Sequence, residues 1–251
     1  YCDIAERMVG DIDFIVSKKD YIRTIKVIKD NGYVKVNKEH YQFPNSKHYH
    51  RLVIENKIAA IEIHKELLIK KYADEFNYDL IKDNLLKTNN VTVLDYNYQI
   101  SLSIIAKQIN DDGIYFKDIA LRNAYDVFLL SKKTVAKDAF KNFNLLRNPL
   151  NSFLASTYII FNNVSSLEYY NSVETEKYLH TFNKNLSNII KTKGNHKKID
   201  NYLFIKKRLS IILKSFTNKA FRKWIFNRIR DKNWQKEKLK QLKLIKSKPN
   251  S

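Results

Sequence analysis

The run Gly10-Asp11-Ile12-Asp13-Phe14-Ile15-Val16 puts two carboxylates one residue apart at the entrance to an apolar segment. In a strand, alternate side chains share a face, so Asp11 and Asp13 lie together while Ile12, Phe14 and Val16 form the expected core side. Residues two apart along a strand are about 7 Å apart. Two like charges at that separation repel by about 2 kcal/mol at an effective dielectric near 20. A wet strand edge tolerates that, and a bound cation would relieve it. Further on, Ile58-Ala-Ala-Ile-Glu-Ile-His64 places Glu62 and His64 on one face, with Ile61 and Ile63 on the other. With this strand beside the first over a common core, Glu62 falls on the side of the two aspartates. Three hard oxygen donors on one face suit Mg²⁺, which binds through a few carboxylates plus substrate phosphates. An ion there would neutralise phosphate charge and orient a nucleophile. The plainer reading is a pair of solvated edge acids. Gly10, one of only four glycines, marks a point of sharp turning or close ligand approach.

The segments that must hold these acids are legible in order. A buried strand is expected over 12–16. Ser17, with Asp20 three residues on, is a capping-box start. Ile22, Ile25, Val27 and Ile28 give an approximate helical apolar face, and Asn31-Gly32 is a stop signal. Tyr33–Val36 reads as a strand, and the polar stretch with Pro44 as a loop. Arg51–Glu55 and Ile58–His64 around Asn56-Lys57 read as a β-hairpin with a tight turn. After about residue 65 the apolar spacing becomes helical, as in 100–109, 119–130, 139–146 and 201–216.

Composition narrows the classes. A chain of 251 residues that is 44% hydrophobic, with 16 Tyr and 14 Phe, can bury a substantial core. No run of 18 apolar residues exists, so no transmembrane segment is expected. Cys2 is the single cysteine, which excludes an internal disulfide and fits a reducing, cytoplasmic setting. Four glycines leave no Gly-x-Gly-x-x-Gly, P-loop or Gly-x-Ser-x-Gly. His40, His48, His50 and Cys2 match no usual zinc spacing. The formal net charge is +20. Residues 191–251 hold 20 Lys and Arg against Asp200, Asp231 and Glu237, so the basicity belongs to this end and not to the acidic segment.

Together, Arg7-Met-Val-Gly-Asp-Ile-Asp-Phe-Ile-Val16, a helix ending Asn-Gly-Tyr33 and Ala60-Ile-Glu-Ile-His64 resemble the nucleotidyltransferase superfamily of polymerase-beta type. More narrowly, they resemble an incompletely characterised bacterial nucleotidyltransferase family that carries Arg-x-x-x-Asp-Ile-Asp, then Gly-Tyr, then a strand ending Glu-x-His. Arg7, Asp11, Asp13, Gly32, Tyr33, Glu62 and His64 match that pattern. Leu121–Leu130, carrying Arg122 and Asp126, resembles the helix that follows the catalytic domain in these proteins, although an ordinary i, i+4 ion pair explains those two residues as well. The resemblance implies that Asp11, Asp13 and Glu62 are the catalytic and metal-binding acids. It also implies that Gly10, Arg7 and His64 contribute to nucleotide binding, Mg²⁺ is the cofactor and an NTP is the substrate. A nucleoside monophosphate would pass to an unknown hydroxyl acceptor as pyrophosphate leaves. The superfamily's Gly-Ser or Lys-Gly phosphate-binding helix has no counterpart in residues 1–9. The sequence therefore reads as N-terminally truncated, or as a catalytically incomplete module.

The fold expected is α+β: a small mixed sheet, the nucleotidyltransferase-like core of residues 1–88, then a helical region over 89–230 and a basic, flexible tail over 231–251. The basic C-terminal region sets Leu209, Ile212, Leu213, Phe216, Ala220 and Trp224 at helical spacing among Lys and Arg. It is either an ordinary packing helix or a surface for nucleic acid or an anionic membrane. Binding nucleic acid or a protein partner through it is the alternative function.

Overall fold

The structure, a computed structural model, describes residues 10–36, 43–68 and 70–241. Arg7, Cys2 and His40 lie outside these residues. The architecture is mixed α+β, a small sheet followed by a helical region.

Strand β1 (Asp11–Ile15) runs parallel to β4 (Ala60–His64), so the chain must cross over between them. The crossover is α1 (Tyr21–Asp30), β2 (Val34–Lys35) and β3 (Leu52–Val53), and the sheet order is β1-β4-β3-β2. β3 is antiparallel to both neighbours. Ahead of α1, the Ser17 hydroxyl donates to the Asp20 carboxylate (2.6 Å) while the Asp20 N–H donates back to Ser17 Oγ (3.1 Å). The two residues engage one another as a turn ahead of the helix, but the N-cap is Asp20, whose side chain bonds no helix N–H, so the capping box expected at Ser17 does not form. At the other end Gly32 takes φ +88°, its N–H bonds the Lys29 carbonyl, and the Tyr33 N–H bonds that of Ile28. That is a Schellman stop, and it needs the freedom of glycine.

One sheet face is covered by α1: Tyr21 and Ile25 pack with Leu52, Ile61 and Ile63, joined by Phe14, Val16 and Ile28. The helix face is therefore Tyr21, Ile25 and Ile28. Ile22 and Val27, expected on it, are exposed, and Ile12 on the covered side of β1 is half exposed. Tyr21 takes the place that the aliphatic pattern had given to Ile22, because it stands one helical turn before Ile25.

Beyond β4, the described chain runs through a short helix, α2 (Tyr78–Ile81), into the hairpin β5 (Leu85–Thr88) and β6 (Val91–Leu94). Asn89 and Asn90 both take positive φ in its two-residue turn, the geometry such hairpins favour. The helical reading after residue 65 overlooked this hairpin, which also straddles the division expected at residue 88. The helical body contains α3 (Tyr96–Ile105) with a π-helical turn (Ala106–Asn110), α4 (Gly113–Phe116), α5 (Leu121–Ser131) and α6 (Arg147–Ile160). Its core gathers Ile104, Val127, Phe140, Leu150, Phe153 and Leu154, all fully buried. Glu75 ties the linking segment to it, its carboxylate accepting from the N–H groups of Asn144, Leu145 and Leu146 just ahead of α6.

α7 (Val173–Ser187), α8 (Ile189–Thr217), α9 (Lys219–Arg230) and α10 (Lys232–Gln241) follow almost without loops. Asn188, Asn218 and Asp231 separate them, each accepting from a backbone N–H of the next helix. Ten residues of the stretch expected as a flexible tail thus form α10. Among the described residues no helix is long and apolar enough to cross a membrane.

Candidate active site

The register decides where the acids go. β1 and β4 align Asp11 with Ala60, Asp13 with Glu62 and Ile15 with His64. Partners in adjacent parallel strands share a face, so Asp11, Asp13, Glu62 and His64 stand on one side of the sheet, opposite the α1-covered core. Ile15, on this same side, packs against the core of the helical body. The acid face is therefore the one turned toward the helices.

Within that face the structure draws Asp13, Glu62 and His64 into a cluster whose ligating atoms lie within 4.8 Å of one another. His64 Nε2 donates to Asp13 Oδ1 (3.0 Å) and stands 3.7 Å from Glu62 Oε2. Glu62 and His64 are mostly buried, while the Asp13 side chain is well exposed. His64 Nδ1 is buried with no hydrogen-bond partner among the described residues, so Nε2 makes the ring's polar contacts.

Asp11 is drawn elsewhere. Its carboxylate pairs with the Arg51 guanidinium, which reaches it across β4, where Ala60, the register partner of Asp11, presents only a methyl group. The expected trio thus divides: Asp13 and Glu62 converge, and Asp11 sits one strand step away, neutralised by a cation from the chain itself. At Gly10 an added Cβ would meet nothing within 4 Å, so packing against the described chain does not require glycine there. Arg122 and Asp126 both lie on α5.

Two residues were missed. His48 sits in the loop before β3, bridged through its backbone to His64. Its Nδ1–H donates to the Tyr49 carbonyl (2.7 Å) and lies 3.7 Å from Glu62 Oε2, and its ring packs 5.0 Å from the His64 ring. No signal in a loop of several histidines singles it out. Arg51 opens the hairpin strand next to β4, and a search for a counter-charge on that strand could have found it. Beside them Lys47 hydrogen-bonds Asn110 of the π-helical turn (2.7 Å), and burial holds its ammonium below the usual lysine range. The loop is thereby anchored to the helical body.

Two carboxylates and an imidazole on one rigid face can hold a divalent cation through hard oxygens, with the nitrogen alongside. Residues 1–160 match the model of a family described as "Uncharacterised nucleotidyltransferase". The chain belongs to this family. A general nucleotidyltransferase function and a nucleotide substrate come with membership, and the acid face built by β1 and β4 lies inside the matched segment. Helices α7 to α10 lie beyond it. No curated protein and no solved structure matches the chain.

Proposed function

We propose that the chain transfers a nucleoside monophosphate from an NTP to a hydroxyl acceptor, using a divalent cation, Mg²⁺ by expectation, held at Asp13 and Glu62. The observation that carries this reading is the pairing of Asp13 with Glu62 in register on the face opposite the α1 core. The donor set fits such an ion: two carboxylates of adjacent strands, anchored by one backbone ladder, with their ligating atoms close together. When bound, the cation neutralises phosphate charge and polarises the phosphoryl group under attack. Glu62, held between His48 and His64, is placed to accept the acceptor's hydroxyl proton as well as to ligate. Until an ion binds, His64 holds the Asp13 carboxylate. Arg51, half exposed beside Asp11, offers a planar donor pair to phosphate oxygens. Gly10 and Arg7 complete the nucleotide-binding assignment. The deciding experiment incubates the full chain with labelled NTP, Mg²⁺ and candidate acceptors. Asp13→Asn is expected to reduce label transfer by at least about 10²-fold with no change in thermal unfolding. Unchanged transfer would refute the assignment.

A second reading, binding of nucleic acid through the C-terminal helices, is favoured by one observation. α9 carries Lys219, Arg222, Lys223, Arg228 and Arg230 and no acid. It docks through Phe221 and Trp224 edge-on against Phe43, in the segment that leads to His48. On this reading the basic helices flank the site and hold a polyanionic acceptor. Substituting Lys219, Arg222 and Lys223 by Gln lowers the salt slope of RNA or DNA binding by about 0.7–0.9 for each phosphate no longer neutralised. A slope that does not move removes α9 from the interface.

A further inference from the structure

Resting on the metal-dependent reading above, we propose that His64 is a metal ligand and that this site binds Mn²⁺ in preference to Mg²⁺. The reason is the division of the acids. Arg51 holds Asp11, so two carboxylates, not three, are free at the cluster, and the third donor within reach is an imidazole nitrogen.

The distances agree with a shared ion. Donors that each bind one ion at about 2.1 Å, and subtend 90–110° at it, lie roughly 3.0–3.5 Å apart. His64 Nε2 is 3.0 Å from Asp13 Oδ1 and 3.7 Å from Glu62 Oε2. All three ligating atoms lie within 4.8 Å of one another, and meeting on one ion closes the widest of these separations by up to about 1.5 Å. On binding, the Nε2 proton leaves to solvent and Nδ1 takes one up, so that the ring stays neutral with its one hydrogen on Nδ1.

The chemistry of this donor set separates the two ions. Mg²⁺ demands oxygen ligands in near-ideal octahedral geometry and gives up its waters reluctantly. Mn²⁺ shares the carboxylate and phosphate preferences of Mg²⁺, and as the larger, less tightly hydrated ion it exchanges a water for an imidazole nitrogen more readily. Asp13, Glu62 and His64 approach from the sheet side, which leaves the opposite positions for water and phosphate oxygens. The His48 ring, itself oriented by the Tyr49 carbonyl, packs 5.0 Å from the His64 ring and restrains its orientation by contact.

The test is direct binding of the metal alone to the full chain. Loss of the free-ion Mn²⁺ electron paramagnetic resonance signal gives the Mn²⁺ affinity, and displacement by Mg²⁺ gives the other. The wild-type chain is expected to hold Mn²⁺ at least about tenfold tighter than Mg²⁺. His64→Gln should lose about tenfold or more in Mn²⁺ affinity while Mg²⁺ affinity stays within about twofold. His64→Asp makes the donor set all-oxygen and should raise Mg²⁺ affinity and narrow the Mn²⁺ preference, a gain that misfolding cannot imitate. Equal affinities in the wild type, or a Mn²⁺ preference that both substitutions leave unchanged, overturns the proposal. Asp13→Asn separates this from the parent reading. If it abolishes binding of both ions while the His64 variants change nothing, the metal site stands and the nitrogen ligand falls. If Mn²⁺ binding survives Asp13→Asn unchanged, the metal site itself is wrong.

Discussion

The acid face of the small sheet and the basic C-terminal helices are both charged, and they handle charge in opposite ways. Asp13, Glu62 and His64 come from two strands whose hydrogen-bonded ladder fixes their order, so three groups meet within 4.8 Å. The cations of α8 to α10 are far more numerous, yet they radiate from helices at 100° steps and most of the described ones stay in water. Of the 29 residues of α8, Leu203 alone is buried, while Tyr202, Ile205, Leu209, Leu213 and Phe216 are exposed. Convergent groups can share one ion, whereas charge spread along a helix makes only a diffuse field.

This contrast is open to test. Ile63 lies fully buried beneath the acid face, between Glu62 and His64 in sequence. Ile63→Ala is expected to cost about 2–5 kcal/mol in denaturant unfolding. Leu213, two-thirds exposed on α8, is its counterpart at the other end of the scale. A smaller loss at Ile63 than at Leu213 would break the comparison, because the sheet would then not be the rigid member.

Tyr178 sits where α7, ahead of the basic helices, meets the helical body. This side chain of α7 is buried against the helical body, and its hydroxyl accepts from Gln108 Nε2 (3.2 Å) in the π-helical turn. Burial pushes the phenol up from its ordinary value of 10.0 to about 12. The contribution to stability is therefore complete below pH 10. It declines between pH 10 and 12, where the unfolded tyrosine ionises and the folded one does not. The loss amounts to about 2–3 kcal/mol, and Tyr178→Phe should abolish that alkaline fall when unfolding is followed against pH. At neutral pH the same change should cost about 1–3 kcal/mol, since it strands the Gln108 amide. The smallest effect belongs to Leu213→Ala, within about 0.5 kcal/mol, which would show that the outward apolar stripe of α8 contributes little to folding.

How much could be read beforehand varied with the range of the interactions. The alternation of β1 and β4 and the Asn31-Gly32 stop are local and appear where the residues place them, whereas Ser17 and Asp20 pair as expected but the helix starts only after Asp20. The hairpin at 85–94 also had a local signal, Asn89-Asn90 between two short β-rich runs, but the helical spacing on its C-terminal side obscured it. Asn188, Asn218 and Asp231 are likewise capping residues that break a long helical pattern into pieces, and only their engaged side chains show it. Ile22 and Val27 were misplaced because a helix carries its apolar residues without saying which stripe will meet a sheet.

Residue order alone settled that two aspartates would share a strand face with Glu62 and His64 able to join them, since strand alternation is a covalent regularity. It also carries the family assignment over residues 1–160. Folding decided which of those groups meet. Parallel registration of β1 on β4 set Glu62 beside Asp13, the small Ala60 let Arg51 cross to Asp11, and the anchored loop brought His48 against His64. Each of these contacts joins residues far apart in the chain, where side-chain periodicity carries no information.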